Sequence, residues 1–83
     1  MQFRATVTIE QKAGILDPEG ATAKRALAHL GYDVGSVKTA KLYEIILEAE
    51  SAEIAAQKVD EMCQKLIANP IIHNYTIELK ELI

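Results

Sequence analysis

The sequence predicts an α+β sandwich in the order strand, helix, strand, strand, helix, strand (βαββαβ), an antiparallel sheet with two helices on one face. Three observations point to it. Apolar and polar residues alternate in the opening and closing segments. Two alanine-rich stretches have helical spacing and recognisable start and stop signals. Between the helices lie two further short alternating runs. Eighty-three residues are expected to form a single domain spanning 1–83.

In the first strand, Phe3, Ala5, Val7 and Ile9 alternate with Gln2, Arg4, Thr6, Thr8 and Glu10, so one face is buried. A connection over 11–16 contains Gly14. The run Leu16-Asp17-Pro18-Glu19-Gly20 then opens a helix over 18–30. Asp17 can accept from backbone N–H groups as an N-cap, and Pro18 suits a first helical position that needs no donor. Glu19 places negative charge at the positive end of the helix dipole. Ala23, Ala26, Leu27 and Leu30 form the apolar face, and Gly31 provides the left-handed stop.

A turn over 32–35 leads to a short strand at 34–39 and a longer one at 42–49. In the longer strand Tyr43, Ile45 and Leu47 share one face, and Leu42, Glu44, Ile46 and Glu48 share the other. The join at Thr39-Ala40-Lys41 has neither glycine nor asparagine for a tight hairpin, so a single bent strand is the alternative. Ser51 caps a second helix over 52–68, whose stripe is Ala55, Val59, Met62, Cys63 and Leu66; Asn69-Pro70 ends it. The last strand, 71–82, alternates Tyr75, Ile77 and Leu79 with polar residues. Right-handed crossovers place both helices on one face, which is the ferredoxin-like plan. In that plan the first and third strands are central, and the second and fourth are edges carrying Lys38 and Lys80.

Composition excludes several functions. The chain is 49% hydrophobic and 25% charged with net charge -3, which draws it neither to nucleic acid nor to an anionic membrane. No stretch nears the roughly 20 apolar residues of a membrane helix, and the N-terminus lacks a signal-peptide pattern. A single cysteine allows no internal disulfide, so a cytoplasmic location is expected. The central strands carry no aromatics on the open face for stacking RNA bases.

Reactive groups are sparse. Cys63 lies on an apolar stripe and reads as a buried thiol; His29 reads as a cation at a helix C-terminus. Neither His29 nor His73 has cysteine or carboxylate partners at ligand spacing, so no metal site is expected. The serines lack a neighbouring base, and the glycines form no phosphate loop. No catalytic or cofactor-binding residue is expected on this chain. The candidates for contact with a partner are Lys12 and Lys41 in loops, Leu42 and Ile46 on an otherwise polar sheet face, and Asp17 and Asn69 at the helix ends.

The pattern resembles the PurS family, the small subunit of phosphoribosylformylglycinamidine synthase. The residues that carry the resemblance are Lys12, Leu16-Asp17-Pro18-Glu19-Gly20, Leu27, Leu30-Gly31-Tyr32, Val37-Lys38, Lys41, Cys63, Leu66, Ala68-Asn69-Pro70-Ile71-Ile72 and Tyr75. Ala40 stands where the family usually has glycine, and His73 where an acidic residue is common. The resemblance implies a role in purine biosynthesis, in which formylglycinamide ribonucleotide, ATP and glutamine give formylglycinamidine ribonucleotide. A PurQ-type glutaminase and a large PurL-type synthetase would use the glutamine, ATP and magnesium. This chain would bridge them as a dimer or tetramer and assist ammonia transfer, with no catalytic residue of its own.

The residues bear on two other functions. A small-molecule-binding regulatory module could hold a carboxylate at the loop Gln11-Lys12-Ala13-Gly14, but such modules are generally fused to an enzyme. An acyl-phosphate hydrolase needs an arginine in a phosphate-cradling loop, and Arg4 and Arg25 lie in a strand and on a helix.

Overall fold

The computed structural model describes residues 1–83. Its elements are β1 (Gln2–Gln11), α1 (Pro18–His29), β2 (Ala40–Glu48), α2 (Ala52–Met62) continuing into one π-helical turn (Cys63–Ile67), and β3 (His73–Leu82). The strands form an antiparallel sheet in the order β2-β1-β3.

The alternation in β1 decides which face is covered. Phe3, Ala5, Val7 and Ile9 are at most 5% exposed, and each points toward α2. Val59 and Cys63 of the α2 side meet Ala5, Val7 and Ile9, while Ala55 meets Phe3 and Ala49. Ile77 and Leu79 of β3 and Ile45 and Leu47 of β2 flank these clusters. Burial of each large side chain contributes about 1.5–3 kcal/mol, so α2 on β1 and β3 is the stable heart of the chain.

Both helix starts form as the sequence predicts. Asp17 accepts from Gly20 N at 3.0 Å, and Ser51 accepts from Ile54 N at 3.2 Å. Gly31, at φ +95°, closes α1, with Tyr32 N donating to Leu27 O and Gly31 N to Ala28 O. These two hydrogen bonds satisfy carbonyls the helix end would otherwise leave open.

The structure departs from four expectations. Residues 34–39 are not a strand of the sheet: no backbone–backbone hydrogen bond ties residues 33–38 to anything. The physical reason is the join. Positive φ occurs only at Gly14 and Gly31, so the chain passes through Thr39-Ala40-Lys41 without reversing. In consequence β1 alone is central, and β2 is an edge strand.

Second, α1 does not pack on the sheet beside α2. Gly20 is its one buried residue, and Leu30 is 73% exposed. Third, the stripe of α2 does not run straight to Leu66. The π turn, closed by Ala68 N donating to Cys63 O at 2.8 Å, inserts a residue per turn. Ile67 and Ala68 therefore reach the core, and Leu66 is left 87% exposed. The last strand begins at His73, two residues later than its apolar run suggests, because residues 70–72 turn.

Candidate functional site: a polar hub and an open sheet face

The structure gathers Lys12, Asp17, Lys41 and Asn69 at one end of the molecule, where β1 ends and both β2 and β3 begin. Asp17 is the centre of this hub. Besides capping α1, its Oδ2 accepts from Thr39 N at 2.7 Å and its Oδ1 from Thr39 Oγ1 at 2.8 Å. A residue 22 positions away is thereby fastened to the helix start. The bond from Thr39 N, then that from Gly20 N, then that from the Thr39 hydroxyl hold the Asp17 carboxyl below its usual range.

Above the hub, the chain after α1 returns along the helix. Lys24 Nζ donates to Gly35 O at 3.1 Å, and a Cβ on Gly20 would press into the Val37 carbonyl oxygen. Gly20 is thus required by close backbone approach rather than by a turn. The motif that marks this helix in the sequence also binds its own return segment.

Around Asp17 and Thr39 lie two small clefts. One, of about 100 Å³, is bordered by Lys12 and Lys38; the other, of about 260 Å³, by Glu10, Glu19, Lys41 and His73. Gln11 borders both, and its Oε1 is buried without a hydrogen-bond partner. The sequence reading places Gln11 in a loop that could hold a carboxylate, whereas the structure makes it the last residue of β1 with that oxygen enclosed. Sequence reasoning missed what Asn69 and His73 do together. Asn69 N donates to His73 Nδ1 at 3.0 Å, and Asn69 Oδ1 accepts from Ile71 N at 3.1 Å. The histidine at this position builds the turn into β3.

Leu42 and Ile46 lie elsewhere, on the sheet face away from α2, opposite Thr8 and Arg4 of β1. They are 64% and 52% exposed. Between them Glu44 meets Arg4 Nε at 3.4 Å, an exposed pair that adds little to stability.

Chemically reactive groups stay apart. Cys63 is buried, and burial followed by the nearby Asp60 charge raises its thiol pKa, which disfavours the nucleophilic thiolate. Tyr75 Oη donates to Asp60 Oδ1 at 2.6 Å, and this bond holds the phenol above its usual range. It ties β3 to α2 and offers no acid or base to a cleft. No three His, Cys, Asp or Glu side chains converge as a metal site would require. No helix is long and apolar enough to cross a membrane.

The three-stranded antiparallel sheet, the helix packed on it and the exposed apolar pair on its open face define the class as a small α+β protein. Comparison with known proteins gives the family. The profile of PurS, phosphoribosylformylglycinamidine (FGAM) synthase, matches residues 4–81. The PurS subunit of Methanocaldococcus jannaschii is 47% identical over 96% of this chain and 98% of its own length. The crystal structure of PurS from that organism superposes with a TM-score of 0.86 at 44% identity, covering 98% of this chain and 99% of the other. A Thermotoga maritima chain from a structure of PurLQS gives 0.83 at 29% identity, covering 99% of each. The chain belongs to the PurS family and is a subunit of FGAM synthase, acting in purine biosynthesis.

Proposed function

We propose that this chain is the non-catalytic adaptor of its FGAM synthase, joining a PurQ-type glutaminase to a PurL-type synthetase in the cytoplasm. The observation that carries this reading is an excess of exposed surface. A chain of 9.1 kDa exposes 6182 Å², whereas a monomer of that mass exposes about 4,900 Å². Large apolar side chains lie open on this surface, among them Leu16, Leu30, Leu42, Ile46, Leu66 and Ile71, each more than half exposed. Its likeness to a chain from PurLQS supports the identity of the partners.

The glutaminase would hydrolyse glutamine to glutamate and ammonia, and the synthetase would use ATP to join that ammonia to formylglycinamide ribonucleotide. Ammonia released to water is protonated and lost to the reaction, so the two sites must be held in fixed relation. A small rigid bridge meets that demand. Leu42 and Ile46 are the apolar pair that would face a partner from the open sheet face, and Lys12 and Lys41 would contact a partner from the hub, which Asp17 and Asn69 hold in shape. Self-association as a dimer or tetramer is part of the same reading, because the excess surface needs covering.

Gel filtration of the chain with its two partner subunits tests the proposal. A three-component complex should form with the native chain, and the double variant L42D/I46D should elute apart from it while keeping its helix content. Native chain that never co-elutes with either partner would overturn the reading.

A further inference from the structure

The helix-side face of the sheet is not covered to its end. The π turn after α2 stops at Ile67, α1 contributes only Glu19, and the cleft of about 260 Å³ stays open over the last residues of β1. The register shows which side chains share it. Opposite residues of an antiparallel pair point to the same face. Lys41 stands opposite Ile9, and His73 stands opposite Gln11. All four therefore lie on the face that Ile9 buries against the end of α2. Ile9 and Ile67 give the cleft an apolar floor, and Glu10 and Glu19 border it, exposed.

The polar groups of this cleft have bonding capacity left over. Gln11 Oε1 is buried without a partner, and a buried acceptor of that kind calls for a donor from outside the chain. Glu10, Glu19 and Lys41 enter no ion pair. His73 Nδ1 accepts from Asn69 N, so the hydrogen of the neutral ring is on Nε2, where it can be donated. The unused acceptors are thus one amide oxygen and two carboxylates; the unused donors are an ammonium and an imidazole N–H. A simple anion would face both carboxylates. A simple cation would leave Lys41 and the imidazole unmatched. A small molecule carrying both charges matches both sets.

We propose that this cleft binds a free α-amino acid with an uncharged side chain. The ligand's ammonium donates to Gln11 Oε1 and to the Glu10 and Glu19 carboxylates. Its carboxylate accepts from Lys41 Nζ and His73 Nε2, and its side chain lies over Ile9 and Ile67. A second carboxylate on the ligand would meet the two glutamates, which disfavours acidic amino acids. The volume lies below the roughly 300–1,000 Å³ of sites for drug-sized molecules, so the occupant is small. With few atoms and an open mouth, an affinity on the order of 1 mM is expected. Occupancy ties β2 and β3 to the end of β1 and stiffens the hub. The site is separate from Leu42 and Ile46, so its failure would leave the adaptor role standing.

Titration of the full chain with L-valine and, separately, with L-glutamine, followed by heteronuclear NMR shifts, tests the proposal. The pair reports whether an apolar or a polar side chain suits the cleft. Saturable shifts at Gln11, Thr39, Lys41 and His73 are expected with at least one of them. N-acetylvaline and valinamide each lack one charge and should bind roughly 10-fold more weakly or worse. Gln11→Leu should weaken binding by about the same factor without lowering the urea midpoint, because an apolar group replaces an unpaired acceptor. Lys41→Met, at an exposed position, should weaken binding with the fold intact. No saturable shift with either amino acid by about 20 mM overturns the proposal. Equal responses to ammonium chloride or sodium acetate overturn it too, as does undiminished binding by either variant.

Discussion

Asp17 does two jobs with one carboxylate, and the second could not be seen from its neighbours in sequence. As a cap it satisfies Gly20 N; as a clamp it holds both the amide and the hydroxyl of Thr39. These donors favour the ionised form, so the folded chain holds the Asp17 pKa below the value of 3.8 that applies when it is unfolded. The stability it contributes is therefore complete above that unfolded value and is lost as pH falls through the lower folded one. Asp17→Asn is expected to lower the melting temperature at neutral pH, and the gap from the native chain should narrow on acidification below about pH 4. Gly20→Ala tests the neighbouring contact. The added methyl must displace the Val37 carbonyl, a backbone atom that cannot rotate away, so a loss of about 1–3 kcal/mol in urea unfolding is expected. The cap role of Asp17 was legible, since Asp-Pro-Glu before an apolar run carries its own mechanism. The clamp was not, because it joins residues whose proximity depends on the path of α1 and its return segment.

At the scale of elements, period-two and helical spacing revealed where strands and helices lie, and β1 and α2 were readable almost to the residue. The errors fell where a local pattern met a non-local condition. Residues 34–39 have strand-like composition, yet a strand needs a partner edge, and the join that would bring one lacks turn residues. The stripe of α2 extrapolates to Leu66 at 3.6 residues per turn, but the π turn shifts the phase. Composition gives no warning of that insertion. It has a measurable consequence. Ile67→Ala should cost about 2 kcal/mol of intrinsic stability, because it opens a void against the core. Leu66→Ala should alter only the concentration-dependent part, since that side chain borders an open groove. Urea unfolding at two protein concentrations separates the two.

As a whole molecule the chain is an extended body with one small core and several open apolar surfaces. The hydrophobic content of an ordinary globule is present, but little of it is enclosed within one copy. Of the candidate contact residues, Leu42 and Ile46 were legible as apolar interruptions of a polar face, and their exposure agrees with that. The uncovered side of β2 was not legible, because the sequence places α1 over it and only the path of the backbone shows that α1 is elsewhere. The proposed positioning role rests on that exposed surface.

Turnover in a reconstituted synthase measures that role most directly. The synthetase and glutaminase are assayed with formylglycinamide ribonucleotide and ATP, with and without this chain, using either glutamine or a high concentration of ammonium salt as nitrogen source. Omitting the chain is expected to abolish glutamine-dependent formation of the amidine while leaving the ammonium-dependent reaction in place. Equal glutamine-dependent rates in its presence and absence would contradict the account.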